Sequence, residues 1–147
     1  MNYSRFIVAA VLCSAAAASV ALDFRSVGSA AVILYDAPSA RSDKLFIAPR
    51  GMPLEVVLSY GEWVKVRDAS GDLSWTEAKG LSAKRNVVVR SAALKVRATP
   101  DDNSSPVFIA DKGILLEVNE PVASGWIKVR HKDGATGFVK SADIWGQ

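Results

Sequence analysis

The sequence predicts an all-β chain, two small β-barrels in tandem behind an N-terminal export signal. Three observations predict it. The chain repeats itself once, at an offset of 62 residues. Neither copy carries the apolar period of an amphipathic helix; both are short apolar runs broken by turn residues at intervals of about ten. The first 21 residues have the profile of a segment removed on export.

Within that segment Arg5 supplies a positive start, and Phe6 to Val11 with Leu12 and Cys13 form an apolar core. The small-residue stretch Ser14 to Ala21 ends in Ser19-Val20-Ala21, a small-x-small cleavage site. A retained anchor is the alternative, because the uncharged run Phe6 to Leu22 approaches the roughly 17-residue minimum for crossing a bilayer. About half of that run is Ala and Ser, which partition weakly, and this favours cleavage. Leu12 stands where lipidation of Cys13 would need a small residue. The expected organisation is a signal peptide at 1–21, a first barrel at 22–84 and a second at 85–147.

Cleavage leaves Leu22 to Gln147, 126 residues without cysteine, so the mature chain is held together with no disulfide. Losing Arg5 leaves 17 basic against 15 acidic residues, a net of +2, with the two signs interspersed. Such a charge pattern serves solubility and gives no warrant for a nucleic-acid partner. The expected location is the periplasm or another part of the cell envelope, with no membrane span after cleavage.

The repeat is detailed. Val27, Ser29, Ala30, Ala31 and Pro38 fall on Val89, Ser91, Ala92, Ala93 and Pro100. Phe46-Ile47-Ala48 falls on Phe108-Ile109-Ala110, and Gly51 and Leu54-Glu55-Val56 on Gly113 and Leu116-Glu117-Val118. One extra residue then shifts the offset to 63, and Trp63-Val64-Lys65-Val66-Arg67 meets Trp126-Ile127-Lys128-Val129-Arg130. Copies of about 60 residues are small but within the range that folds alone. No Gly/Ser/Pro-rich linker separates them near Lys84-Arg85, so the barrels are expected to pack closely or share an edge.

Each element follows in order. Asp23-Phe24-Arg25 opens the first copy, and Ala31 to Tyr35 reads as a strand. Asp36 to Asp43, with Pro38, reads as a long loop. Leu54 to Ser59 alternates, with Leu54, Val56 and Leu58 on one face. Tyr60-Gly61-Glu62 turns the chain into Trp63 to Arg67, and Asp68 to Gly71 makes a tight hairpin into Leu73 to Glu77. Lys84-Arg85-Asn86 and Val87-Val88-Val89 open the second copy, Asp133-Gly134 is its hairpin dipeptide, and Thr136 to Lys140 is its last long strand.

These residues carry a family likeness. Leu94-Lys95-Val96-Arg97-Ala98-Thr99-Pro100 resembles the opening of bacterial SH3-like domains, which often read x-N-V-R-x-x-P. Lys112-Gly113 before Leu116-Glu117-Val118 is similar to their lysine-glycine turn, Gly125-Trp126-Ile127-Lys128-Val129-Arg130 to their G-W-x-K-V strand, and Gly137-Phe138-Val139 to their G-W-V. The first copy departs more: Leu34-Tyr35-Asp36 replaces Val-Arg-x, Glu62 precedes Trp63 in place of glycine, and Ser74-Trp75-Thr76 replaces Gly-Trp-Val. The resemblance implies tandem SH3-like barrels and an envelope protein that binds peptidoglycan, or proteins working on it.

Catalytic candidates are few. His131 is the only histidine and sits at the mouth of a hairpin turn, where an exposed turn residue is expected rather than a general base. Asp68, Asp72, Asp101 and Asp102 also fall in turns, where aspartate serves local backbone hydrogen bonds. One histidine without cysteine supplies no zinc site. A binding protein without cofactor or metal is expected, not an enzyme.

Strand alternation yields the binding candidates. Period two turns Val64 and Val66 inward and leaves Trp63, Lys65 and Arg67 on the other face; Ile127 and Val129 do the same for Trp126, Lys128 and Arg130. One aromatic and two cations on a strand face suit a sugar ring or peptide bearing carboxylates. The competing reading has the indole lid the barrel end while Lys and Arg solvate the outside. The long loop adds Tyr35 and Asp36 in one copy and Arg97 in the other, while Trp75 and Phe138 are expected in the core. Peptidoglycan or envelope proteins are the expected partners. The alternative is a periplasmic adaptor that holds an envelope protein complex together without touching glycan.

Overall fold

The computed structural model describes residues 21–121 and 124–147, all of them in strands, turns and two short 3-10 turns. The signal-peptide assignment lies outside the described residues, apart from Ala21. No helix among the described residues is long and apolar enough to cross a membrane.

Each copy forms its own seven-stranded antiparallel sheet, curled into a barrel. The first contains β1 (Asp23–Val27), β2 (Val32–Tyr35), β3 (Lys44–Ala48), β4 (Pro53–Tyr60), β5 (Trp63–Arg67), β6 (Leu73–Glu77) and β7 (Leu81–Ser82), in the order β3-β2-β6-β5-β4-β1-β7. The second contains β8 (Asn86–Val89), β9 (Leu94–Arg97), β10 (Pro106–Ala110), β11 (Leu115–Pro121), β12 (Trp126–Arg130), β13 (Thr136–Lys140) and β14 (Ile144–Trp145), in the equivalent order. The fold class is therefore that expected: all-β, two tandem barrels.

The expected alternation sets the core. Val64 and Val66 point inward with Val27, Leu34, Ala48 and Leu54; Ile127 and Val129 do so with Val87, Val89, Val96, Leu116 and Val139. The register of β4 on β5 shifts between Val56 and Leu58, and that of β11 on β12 between Val118 and Glu120. These bulges bend the longest strands so that each pairs with two neighbours. Gly137 marks a close approach of β13 and β9, since a Cβ there would lie 2.6 Å from Val96 Cγ1 and 2.7 Å from the Arg97 carbonyl oxygen.

Two expectations and one omission need correction. Leu58, expected on one face with Leu54 and Val56, is 45% exposed and opposes Lys65, because the bulge after Val56 turns the strand over. Strands β3 and β10 were not assigned from the sequence. They lie at sheet edges, and Lys44 to Ile47 are exposed on both faces, so no alternation announces them. Trp75 and Phe138 are half-buried on the outside of their barrels. The inward positions of β6 belong to Ser74 and Thr76, opposite Val66 and Val64, and Thr76 Oγ1 donates to the Ile33 carbonyl at 3.1 Å.

The barrels pack closely but share no edge. Asn86 reaches back into the first barrel, its backbone N–H donating to Ser26 Oγ at 3.2 Å and its Nδ2 to the Gly51 carbonyl at 2.9 Å. Trp145 meets Phe24 edge-on with centroids 5.1 Å apart. Phe24 is 6% exposed yet stands outside the core cluster of its own barrel. Gly146, at φ +120°, lets the chain pass where a Cβ would fall 2.9 Å from Pro53.

Candidate functional site

Strand register assembles the candidate face of the first barrel. On β5, Trp63 pairs with Glu77 and Tyr60, Lys65 with Trp75 and Leu58, and Arg67 with Leu73 and Glu55. Tyr35 pairs with Trp75 from the other side. Directly opposed residues share a face, so Trp63, Lys65, Tyr35, Tyr60 and Trp75 lie together. Tyr35 meets Trp63 edge-on at 5.5 Å, Tyr60 meets Trp75 at 6.5 Å, and Lys65 Nζ sits 5.9 Å from the Trp75 ring centroid. The rings are half-buried except Tyr60, which is 67% exposed.

In the second barrel the same face is cationic. Trp126 pairs with Lys140, Lys128 with Phe138, and Phe138 with Arg97. Lys140 Nζ lies 5.6 Å over the Trp126 ring and 2.7 Å from Asp102. A hollow of about 270 Å³ opens here, lined by Trp126, Arg97, Lys95 and Lys140 with Asp102 and Asp143. Arg97 and Trp126, singled out separately in the sequence, thus meet at one site.

Several candidates, Arg97 of the hollow among them, are also engaged in holding the barrels. Arg67 donates to Glu55 Oε2 at 2.9 Å, the partner of a carboxylate that is only 9% exposed. Arg130 Nη2 and Lys84 Nζ both contact Glu117 at 3.0 Å, and Lys128 stands 3.9 Å from Glu120. These two cations, Lys84 first, hold the Glu117 carboxyl below its ordinary range. Asp36 closes the long loop, its Oδ1 accepting from the Asp43 N–H at 3.1 Å. Arg97 does the same in the second copy, donating to the Ser104 carbonyl at 2.7 Å.

Tyr60, Trp75, Phe138 and Lys140 were missed as members of these faces. The signal that finds them is the period-two rule carried one strand further, from β5 to its hairpin partner β6 and from β12 to β13.

Asp68 and Asp101 serve the backbone as expected, whereas Asp102 pairs with Lys140 instead. Asp68 Oδ1 accepts from Ser70 N at 2.9 Å and Asp72 N at 3.0 Å, and Asp101 Oδ1 from Asn103 N at 2.8 Å. His131 is more buried than expected: its side chain is 21% exposed, it packs on Phe108 at 5.8 Å, and its Nδ1 lies 3.1 Å from Asp133. The backbone N–H of Ala135, and after it His131, hold Asp133 below its ordinary range.

The model of the bacterial SH3 domain family matches this chain twice, at residues 28–82 and 84–146. No curated protein matches it. Among solved structures it is similar to NlpC1 and NlpC2 from Trichomonas vaginalis, at 9% and 6% identity with TM-scores of 0.40 and 0.39. The alignments cover 95% and 86% of this chain and 51% and 49% of theirs, so the chain spans about half the length of each.

Proposed function

The chain belongs to the bacterial SH3 domain family, and on that premise we propose that it is an exported, non-catalytic module that binds cell-wall peptidoglycan through the outer faces of its barrels. The observation that carries this reading is the hollow of about 270 Å³ beside Trp126, where the indole meets Lys95, Arg97 and Lys140, with Lys140 held by Asp102 and Arg97 by the Ser104 carbonyl. A ring that stacks a sugar and cations that pair carboxylates are the two functions a glycan–peptide polymer calls for. The first barrel repeats the aromatic part with Tyr35, Trp63 and Trp75, with Lys65 as its cation.

The test is co-sedimentation of the purified protein with protein-free sacculi at low and moderate salt. Binding that weakens with salt and falls in Trp126→Ala, with Trp63→Ala affecting it less, supports the reading. Absence of binding at both salts removes it.

A second reading, a periplasmic adaptor holding an envelope protein complex, is favoured by the edge strands. Leu45 and Ile47 on β3 are 55% and 68% exposed, and Val107 and Ile109 on β10 are 50% and 59% exposed. Unpaired apolar edges are templates for strand addition from another protein. Crosslinking in intact cells that captures defined protein partners, together with no sedimentation on sacculi, favours the adaptor.

A further inference from the structure

A wide cleft among the described residues lies at neither outer face. About 760 Å³ opens at the junction of the barrels, between the turn that carries Arg50 and Gly51 in the first and, in the second, the start of β11, the end of β12 and the hairpin from β12 to β13. Its charged lining is one-sided: Arg50, Lys84, Arg130 and Lys132 against the single carboxylate of Glu117. Glu117 already spends that charge, with one oxygen on Lys84 and the other on Arg130, each at 3.0 Å. Arg50 and Lys132 are exposed and enter no ion pair among the described residues. Leu115 and Ile114 supply an apolar wall beneath the cations.

A concave surface of one sign between low-dielectric walls concentrates ligands of the opposite sign. The Lys84–Glu117–Arg130 bridge shows that a carboxylate, one oxygen to each cation, suits this lining. Two further cations without partners ask for at least one more carboxylate from outside, and the aliphatic wall asks for small apolar groups between. We propose that the junction cleft binds a short acidic peptide with small aliphatic side chains, clamped between Arg50 of the first barrel and Lys132 of the second. The site exists only while the barrels keep their mutual pose, which Asn86 and the Phe24–Trp145 contact maintain. It stands apart from the wall-binding faces and does not depend on them.

The probe is a fluorescein-labelled tetrapeptide of alternating glutamate and alanine, titrated with the purified protein and read by anisotropy at low salt. Saturable binding is expected, weakened about tenfold by Arg50→Gln and by Lys132→Gln, as the loss of one charge-assisted hydrogen bond implies. The glutamine-for-glutamate peptide should not compete. Arg41→Gln, an exposed cation outside the cleft, should bind as the parent does. Unchanged affinity in both cleft variants, or equal weakening in Arg41→Gln, overturns the proposal. Displacement by inorganic pyrophosphate at lower concentration than by unlabelled peptide overturns the peptide assignment in favour of a phosphate ligand.

Discussion

Replacing Trp145 with alanine should expose how far the two barrels stabilise one another. Phe24 is 6% exposed but lies outside its own barrel's core cluster, and Trp145 of the other barrel meets it edge-on at 5.1 Å. Uncovering half of the roughly 150–200 Å² that a phenylalanine buries costs about 2 kcal/mol at ~25 cal/mol/Å². Loss of the aromatic pair adds about 1 kcal/mol. A total of about 2–3 kcal/mol corresponds to a fall of roughly 8–12 °C in Tm for a chain of this size. Thermal unfolding followed by near-ultraviolet circular dichroism measures it, and the first barrel should melt ahead of the second once the contact is gone. A single transition within 2 °C or so of the parent would refute the reasoning, and the barrels would then be neighbours without mutual support.

Gly137→Ala should destabilise the second barrel by about 1–3 kcal/mol, the usual cost of overpacking, because its Cβ meets Val96 and the Arg97 carbonyl; urea denaturation checks this. Arg67→Ala should cost about 1–3 kcal/mol by leaving the buried Glu55 carboxylate unpaired, and Glu55→Gln in the same chain should recover part of the loss in a double-mutant cycle. Glu117 titrates below its ordinary value of 4.5 because Lys84 and then Arg130 bond to it. A depressed folded-state pKa gives stability that is complete above that ordinary value and lost as pH falls through the lower folded one. Glu117→Gln should therefore be less stable than the parent at neutral pH, with the gap closing as pH falls below 4.5; denaturation midpoints on either side of that value test it.

Much of the barrel was legible because inward and outward residues alternate without exception on β5 and β12. Val64, Val66, Ile127 and Val129 are buried, while the residues flanking them are half-buried or exposed. That alternation announces the candidate faces on β5 and β12, and it extends to their hairpin partners β6 and β13. On β6 Trp75 is expected in the core, but the interior positions beside Val64 and Val66 are taken by Thr76 and Ser74. Edge strands stayed hidden for a different reason: β3 has solvent on both sides, and nothing in Lys44 to Ile47 separates an inner face from an outer one. The junction cleft was out of reach altogether. Arg50 and Lys132 lie in different copies, and no local pattern says that two barrels joined by residues 83–85 turn those corners towards each other.

The meeting of Phe24 with Trp145 also brings the first and last strands of the described chain together in space, through that one pair of rings. A short connection from Gln147 to Leu22, with new ends opened in the exposed loop at Arg41, would trace the same barrels in permuted order. The same geometry governs mechanical load. Tension applied through residues next to Leu22 and Gln147 would fall first on the Phe24–Trp145 contact and would shear the barrels apart before either unravels. In a protein strung between anchoring points, the seam between the barrels would be the part that yields.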